Sequence, residues 1–290
     1  MKRIVWALSF LALGAAGFAG LIAVRSWKFG LSQLHPPRLA VPAAPAIAGL
    51  STVEFEDKNG IVLRAWWVKS SNRAAIILLH GHGANRDQMT PELTLLARHG
   101  YGVLAFDLPG HGTSGGDLVT WGDREKASLD AAIGFAAAQA DVDPQRLGAL
   151  GFSMGGSTVV EVAAVDPRLK AIAISGTYTN LTDELNFEGH KWGLLSQVPI
   201  KKAMESAGVQ VEGVHPVAVI CKVAPRPVLL IEGTEDPSTP VAMEQRLFDA
   251  ACEPKTHWLV PGAHHGDYAA IDGAGYEQRL VFLFDGALLK

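Results

Sequence analysis

The chain contains little cysteine and little charge. Two of its 290 residues are cysteine, Cys221 and Cys252, and 19% are Asp, Glu, Lys or Arg. Two cysteines are too few for a disulfide framework, and neither lies in a cluster typical of metal binding. We expect two buried thiols, with a single disulfide as the alternative if the domain lies in an oxidising compartment. The net charge is −4 and the sequence has no run of Lys and Arg, which argues against a nucleic-acid partner.

A long uncharged run lies near the N-terminus, between Ile4 and Val24. As a helix it covers roughly 30 Å, the thickness of the hydrocarbon core of a bilayer. Basic residues flank both ends, and a tryptophan stands near each end, as is common at membrane interfaces. We predict a single-pass transmembrane anchor over residues 1–28, with the rest of the chain outside the cytoplasm. A cleaved signal peptide is the alternative. Residues 29–50, rich in Pro and Ala, are predicted to form a linker.

From residue 51 to residue 290, short apolar runs alternate with helix-compatible segments. Asn59-Gly60 lies between two β-like runs and predicts an antiparallel hairpin. Six further strands are predicted at 74–79, 102–107, 147–152, 171–175, 227–233 and 256–260. Helices are predicted at 86–98, 121–139, 154–165, 240–251 and 275–289.

The alternation of strands and helices predicts an α/β fold. Right-handed crossovers would give a mostly parallel, doubly wound sheet with helices on both faces. Between Ser175 and Pro227, about fifty residues contain no obvious core strand, which is long for a connection. We therefore predict a cap inserted at about residues 177–222. Trp192, Leu194 and Leu195 in this cap would line an apolar pocket or pack the cap onto the domain.

The stretch LGALGFSMGGS, from Leu147 to Ser157, contains the pattern G-x-S-x-G. It places Ser153 at a strand-to-helix turn, on the carboxyl edge of the sheet, where ligands bind in such folds. Glycines two positions away on either side allow a sharp turn that exposes the serine hydroxyl. The alternative is an ordinary glycine-rich turn, because the pattern also occurs by chance.

A serine nucleophile needs a base, and two downstream loops offer one together with an acid. Glu235 and Asp236 follow one predicted strand, and His264 and His265 follow the next. The order serine, acid, histidine is the one expected on this fold. All of these residues lie at the carboxyl ends of predicted core strands, so we expect them on the same edge as Ser153.

Two other patterns superficially match cofactor or metal sites but lack features that such sites require. Gly110, Gly112 and Gly115 form G-x-G-x-x-G, but no helix follows directly and the next strand does not end in an acid, as a dinucleotide site requires. His80 and His82 lie two residues apart on a glycine-rich turn without a nearby third ligand, which is a poor metal site. We predict neither a metal nor an organic cofactor.

The segments LLHGHGAN, FDLPGHGTSGG, GFSMGGS, IEGTEDPSTPV and VPGAHHGDY resemble the α/β-hydrolase superfamily. The likeness covers about residues 52–289 and is greatest to the serine-aminopeptidase-like branch and to a membrane-anchored branch. It implies that Ser153 is the nucleophile, Asp236 the acid and His265 the base. The oxyanion hole would use the amide of Met154, the residue after the nucleophile, and, by the resemblance, that of His82. His264 and Glu235 are departures that compete for the roles of base and acid.

The predicted function is a serine hydrolase that cleaves a carboxylic ester, with thioesters or amides as possible variants, through an acyl-enzyme intermediate. A small acyl ester or a lipid-like molecule would be the substrate. A peptidase or an acyltransferase on the same residues is one alternative. A membrane-tethered binding protein on an inactive hydrolase fold is the other.

Overall fold

A computed structural model of the chain describes residues 2–190 and 193–290, and its central feature is one eight-stranded sheet. The strands follow the spatial order β1-β2-β4-β3-β5-β6-β7-β8. The pairs β1/β2 and β2/β4 are antiparallel, and the other pairs are parallel. They are β1 Leu50–Glu56, β2 Val62–Val68, β3 Ala75–Leu79, β4 Gly102–Phe106, β5 Leu147–Phe152, β6 Leu169–Ser175, β7 Val228–Gly233 and β8 Lys255–Val260.

Helices of the described residues precede the sheet, cover its two faces and fill the connection between β6 and β7. They are α1 Lys2–Ser32, α2 Thr90–Arg98, α3 Glu125–Ala137, α4 Met154–Ala163, α5 Leu181–His190, α6 Gln197–Ser206, α7 Pro216–Val219, α8 Val241–Ala250, α9 Tyr268–Ile271 and α10 Gly273–Leu288. The α/β class, the mostly parallel sheet and the antiparallel hairpin are thereby confirmed. The connection from β6 to β7 is helical, as expected for a cap.

The central strands are buried on both faces because their side chains alternate between two apolar clusters. On β3, Ile77 belongs to the cluster that contains α3 and α4, whereas Ile76 belongs to the one that contains α2 and α10. Strand β8 differs from the prediction of a core strand, since it lies at the edge of the sheet with an alternating pattern of burial. The three consecutive polar residues at its start, Lys255, Thr256 and His257, carried that signal.

Helix α3 begins at Glu125, four residues later than predicted. Trp121 and Gly122 have φ angles of +57° and +100°, which a right-handed helix cannot accommodate. Glu125 then accepts hydrogen bonds from the amides of Thr120 and Gly122, and so closes the turn that precedes the helix.

The N-terminal helix α1 includes a segment, Leu8–Ser32, that is long and apolar enough to cross a membrane, with a mean hydropathy of 1.8. The helix ends at Ser32 rather than at residue 28. Its last turns pack against α6 in the cap, where a Cβ on Gly30 would lie 2.7 Å from the carbonyl oxygen of Ile200. Residues 33–49 follow without a helix or strand, yet Leu34 among them is fully buried.

Cys221 and Cys252 form a disulfide, so the expectation of two buried thiols is wrong. Neither residue is buried, and 31 positions separate them in the sequence. The bond joins the end of the cap to the segment that leads from α8 into β8. Spacing along the chain gave no signal for it, because the two residues meet only through the crossover between β7 and β8.

Candidate active site

Ser153 lies on a sharp turn between β5 and α4, with a φ angle of +54° and a ψ angle of −117°. This backbone conformation is unfavourable for a residue with a side chain and is characteristic of functional sites. The neighbouring glycines are needed for close packing. A Cβ on Gly151 would lie 2.4 Å from the carbonyl oxygen of Gly155, and a Cβ on Gly155 would lie 2.5 Å from that of Leu79. The turn therefore has the geometry of a nucleophile elbow.

His265 and Asp236 lie within hydrogen-bonding distance of each other, with 2.6 Å between Nδ1 and Oδ2. Asp236 follows β7 and His265 follows β8, so the carboxyl ends of two neighbouring strands bring them together. The other carboxylate oxygen of Asp236 accepts hydrogen bonds from the amides of Ser238 and Thr239, at 2.7 and 2.9 Å. Burial raises the pKa of Asp236, but the hydrogen bond from His265 and those two amides outweigh it and lower the pKa below its usual value.

Phe152 and two backbone contacts connect this pair to Ser153. The ring of Phe152 packs on that of His265, with 4.5 Å between the centroids. The amide of Ser153 donates to the carbonyl of Ser175 at 2.8 Å, and a Cβ on the next residue, Gly176, would lie 2.8 Å from Cε1 of His265. The structure thus brings the three predicted residues to one edge of the sheet. In the described part of the chain, the hydroxyl of Ser153 makes no hydrogen bond.

The loop after β3, residues 80–85, carries the backbone amide predicted to serve the oxyanion hole. The amide of Gly81 donates to Oε1 of Gln88 at 2.8 Å, and that of Gly83 donates to Nε2 of His111 at 3.0 Å. Among the residues that the structure describes, the amide of His82 between them has no hydrogen-bond partner. The loop lies close to the elbow, because a Cβ on Gly81 would lie 3.3 Å from Cβ of Ser153. Met154, the other predicted donor, is the first residue of α4.

The histidines of this region have defined tautomers. Nε2 of His80 accepts a hydrogen bond from the amide of Leu108 at 3.0 Å, so its proton is on Nδ1, which donates to the carbonyl of Gly81 at 2.7 Å. Burial lowers the pKa of His80 to about 4 and that of His111 to about 3, so both are neutral at pH 7. Both nitrogens of His80 are occupied within the protein, and its role here is to fix the loop.

Two buried glutamates behind Asp236 were missed by the sequence reasoning. Glu232 on β7 and Glu244 on α8 are fully buried, and among the described residues Oε2 of Glu232 and both carboxylate oxygens of Glu244 have no hydrogen-bond partner. Burial raises the pKa of both, that of Glu244 to about 8. The run LLIEG contained the signal, because it places the carboxylate of Glu232 next to the end of a buried strand.

Glu235 and His264, the alternative candidates for acid and base, are exposed to solvent. The side chains of Glu235 and His264 are 64% and 57% exposed and lie 3.8 Å apart, whereas that of Asp236 is fully buried. The glycine-rich segment from Gly110 to Gly115 forms a loop, as the lack of a following helix predicted. Of the cap residues considered for a pocket, Leu195 is exposed, while Trp192 and the side chain of Leu194 lie outside the described part of the chain.

Comparisons with known proteins agree with this architecture. An uncharacterised protein of Mycobacterium tuberculosis is 30% identical over 274 residues, which span 92% of this chain and 89% of the relative. An esterase of Pyrococcus furiosus superposes with a TM-score of 0.74 at 22% identity, over 88% of this chain and 98% of the esterase. A bacterial membrane phospholipase A described as a virulence factor superposes with a TM-score of 0.62 at 19% identity, over 99% of both chains.

A family model places the sequence within one group of these hydrolases. The model described as serine aminopeptidase, S33, matches residues 70–218, which include β3, the elbow at Ser153 and most of the cap. The relative from Mycobacterium extends the likeness to 92% of the chain. The protein therefore belongs to the serine aminopeptidase S33 family of α/β hydrolases.

Proposed function

We propose that the protein is a serine esterase in which Ser153, His265 and Asp236 form a catalytic triad. The observation that carries the proposal is the 2.6 Å hydrogen bond between His265 and Asp236 on the same edge of the sheet as the strained elbow of Ser153. A buried, ionised carboxylate that accepts from Nδ1 leaves Nε2 of the imidazole free to act as a base.

The reaction would proceed by acyl transfer in two steps. Nε2 of His265 takes the proton of the Ser153 hydroxyl while the serine oxygen attacks the ester carbonyl. The amides of His82 and Met154 donate to the oxyanion that forms, and Asp236 stabilises the imidazolium. His265 then returns its proton to the departing alcohol. Water, activated by the same base, attacks the acyl-enzyme and releases the acid.

The proposed substrate is a small or lipid-like acyl ester. Support comes from the similarity to an esterase and to a membrane phospholipase A, the latter over nearly the whole chain. The apolar helix α1 adds to this support, since it packs directly against the cap. An anchored enzyme meets lipid-like molecules at a far higher local concentration than soluble ones.

We further propose that α1 anchors the protein in a membrane and that the hydrolase domain lies outside the cytoplasm. The disulfide between Cys221 and Cys252 supports this location, because such bonds persist mainly in oxidising compartments. Two basic residues precede the apolar run and two, Arg25 and Lys28, follow it, so the disulfide rather than the flanking charge supports this orientation.

Turnover of p-nitrophenyl esters from acetate to laurate by the full chain in detergent tests the proposal. We expect hydrolysis by the wild type and a loss of at least about 10³-fold in kcat for Ser153→Ala, because the nucleophile is absent. A fluorophosphonate should label the wild type and leave Ser153→Ala unlabelled. Lysophospholipid and peptide substrates in the same assay would separate esterase from peptidase activity.

Ser51→Ala provides the matched control, since it makes the same chemical change on the edge strand β1. It should keep the turnover and labelling of the wild type. Undiminished turnover or labelling of Ser153→Ala would show that the nucleophile lies elsewhere and would overturn the proposal.

A further inference from the structure

The segment predicted to be a linker contacts the loop that carries the proposed oxyanion amide. We call residues 33–40 the arm. The carbonyl oxygen of Gln33, at its start, lies 2.7 Å from Nε2 of His82. At its other end, Nδ2 of Asn85 donates to the carbonyls of Leu39 and Ala40, each at 3.3 Å. The arm therefore runs along residues 80–85 and is bonded to both sides of the loop.

The arm is also fixed to the segment that follows β4. Leu34 is fully buried, and its carbonyl accepts from the amide of Val119 at 2.9 Å. Nδ1 of His35 lies 2.7 Å from the carbonyl of Asp117, and the guanidinium of Arg38 donates to the carbonyls of several residues between 111 and 116. A flexible linker would make none of these bonds, so the arm is part of the hydrolase domain.

The side chain of His82 is held by two contacts. Nε2 carries the proton that is donated to Gln33, and the ring stacks on Trp121 with 4.1 Å between the centroids. Trp121 donates from Nε1 to the same carbonyl of Gln33 at 3.3 Å, so one oxygen fixes both rings. Burial lowers the pKa of His82, which keeps this ring neutral.

A side chain held at its far end restrains the Cα of its residue and so limits how far the backbone amide of that residue can move. The amides of Gly81 and Gly83, on either side of His82, are already bonded within the protein, whereas that of His82 has no partner among the described residues. An error of about 1 Å in the position of a catalytic group costs roughly 100-fold in rate. A contact that sets the side chain of His82 therefore bears directly on catalysis.

We infer that the arm positions the oxyanion hole: the carbonyl of Gln33 holds the imidazole of His82, and this contact aims the His82 amide at the reacting carbonyl. The inference rests on the proposed function, because the amide has this task only if Ser153 attacks an ester. Gln33 follows α1 directly along the chain, so the N-terminal helix and the catalytic loop are linked by one hydrogen bond.

The test compares His82→Phe with His99→Phe in the full chain. Phenylalanine at position 82 keeps the stacking on Trp121 but removes the donor to Gln33, and we expect kcat to fall roughly 10- to 100-fold with KM within about two-fold. His99→Phe makes the same change at an equally short contact, 2.7 Å between Nε2 and Oε1 of Glu277, where the end of α2 meets α10 away from the arm and the loop, and it should retain the kinetics of the wild type. His82→Gln, which restores a donor, should recover part of the loss.

Inhibition by a trifluoromethyl ketone, an analogue of the tetrahedral intermediate, distinguishes positioning from a general loss of structure. Its inhibition constant should rise in His82→Phe by the same factor as kcat/KM falls, whereas partial unfolding would only lower the fraction of enzyme titrated by fluorophosphonate. A folded His82→Phe with the inhibition constant and kcat of the wild type would overturn the inference. Active Ser153→Ala would instead overturn the proposed function.

Asn85→Asp is a second variant that tests the same inference if His82→Phe does not fold. The aspartate keeps the acceptor that Asn85 offers to the amide of Asp87 but loses the donor to the arm. We expect a smaller loss of kcat/KM with a matching rise in the inhibition constant of the ketone. An unchanged inhibition constant would contradict the inference in this variant as well.

Discussion

Replacing Cys221 and Cys252 together by serine should destabilise the domain by about 4 kcal/mol at 25 °C. The disulfide closes a loop over a sequence separation of 31. In the chain-entropy model, a crosslink over such a loop lowers the entropy of the unfolded chain enough to account for about 3.7 kcal/mol. For a domain of this size that difference corresponds to a fall in Tm of roughly 8–16 °C.

Unfolding by urea, followed by tryptophan fluorescence in detergent, measures the effect. The double variant should unfold at a lower urea concentration than the wild type, and a phosphine reductant should bring the wild type to the same midpoint. The reductant should leave the midpoint of the double variant unchanged, which is the internal control. Two titratable thiols in the wild type purified without reductant, or a midpoint that the reductant does not move, would refute the reasoning.

Two further predictions concern Asp236 and Glu244, the buried glutamate behind it. Asp236→Asn should lower kcat on p-nitrophenyl acetate by roughly 10⁴-fold without loss of structure, because an amide favours the wrong imidazole tautomer; a loss below ten-fold would exclude Asp236 as the acid. Burial raises the pKa of Glu244 to about 8, so its protonated form stabilises the fold below pH 4.5 and that stability is lost as the pH rises through 8. Titration of Glu244 should therefore lower the free energy of unfolding by up to about 1.4 kcal/mol per pH unit in this window. Because burial raises the pKa of Glu232 as well, Glu244→Gln should reduce the slope measured in urea titrations at pH 5 to 8 rather than abolish it; equal slopes in the two proteins would contradict the assignment.

Apolar runs predicted the sheet well because burial on both faces leaves a simple pattern. The runs at 74–79 and 102–107 contain almost no polar residues, and both became central strands. The start of α3 was predicted less well, since a positive φ at Trp121 is set by tertiary packing and leaves no trace in residue type. Boundaries of this kind depend on contacts rather than on periodicity.

In the candidate site too, features set by local pattern were predicted and features set by long-range contacts were not. Ser153, Asp236 and His265 were predicted from local motifs at strand ends, and the topology explains why those strand ends share one edge of the sheet. The contact of Gln33 with His82 was not predictable, because it joins a backbone carbonyl to a residue 49 positions away and the Pro- and Ala-rich arm carries no pattern that encodes it. A backbone carbonyl can accept a hydrogen bond whatever side chain its residue carries, so the residue type at position 33 gives no sign of the contact.

The close packing of Gly30 against Ile200 gives α1 a mechanical role. Eight residues separate Val24, the end of the uncharged run, from Ser32, which corresponds to roughly 12 Å of helix. If α1 crosses a bilayer, this rigid spacer sets the height of the domain above the lipid surface and restricts the tilt of the domain relative to the helix. The enzyme would then search for substrate in two dimensions, and would reach only those ester bonds that rise to the level of its elbow.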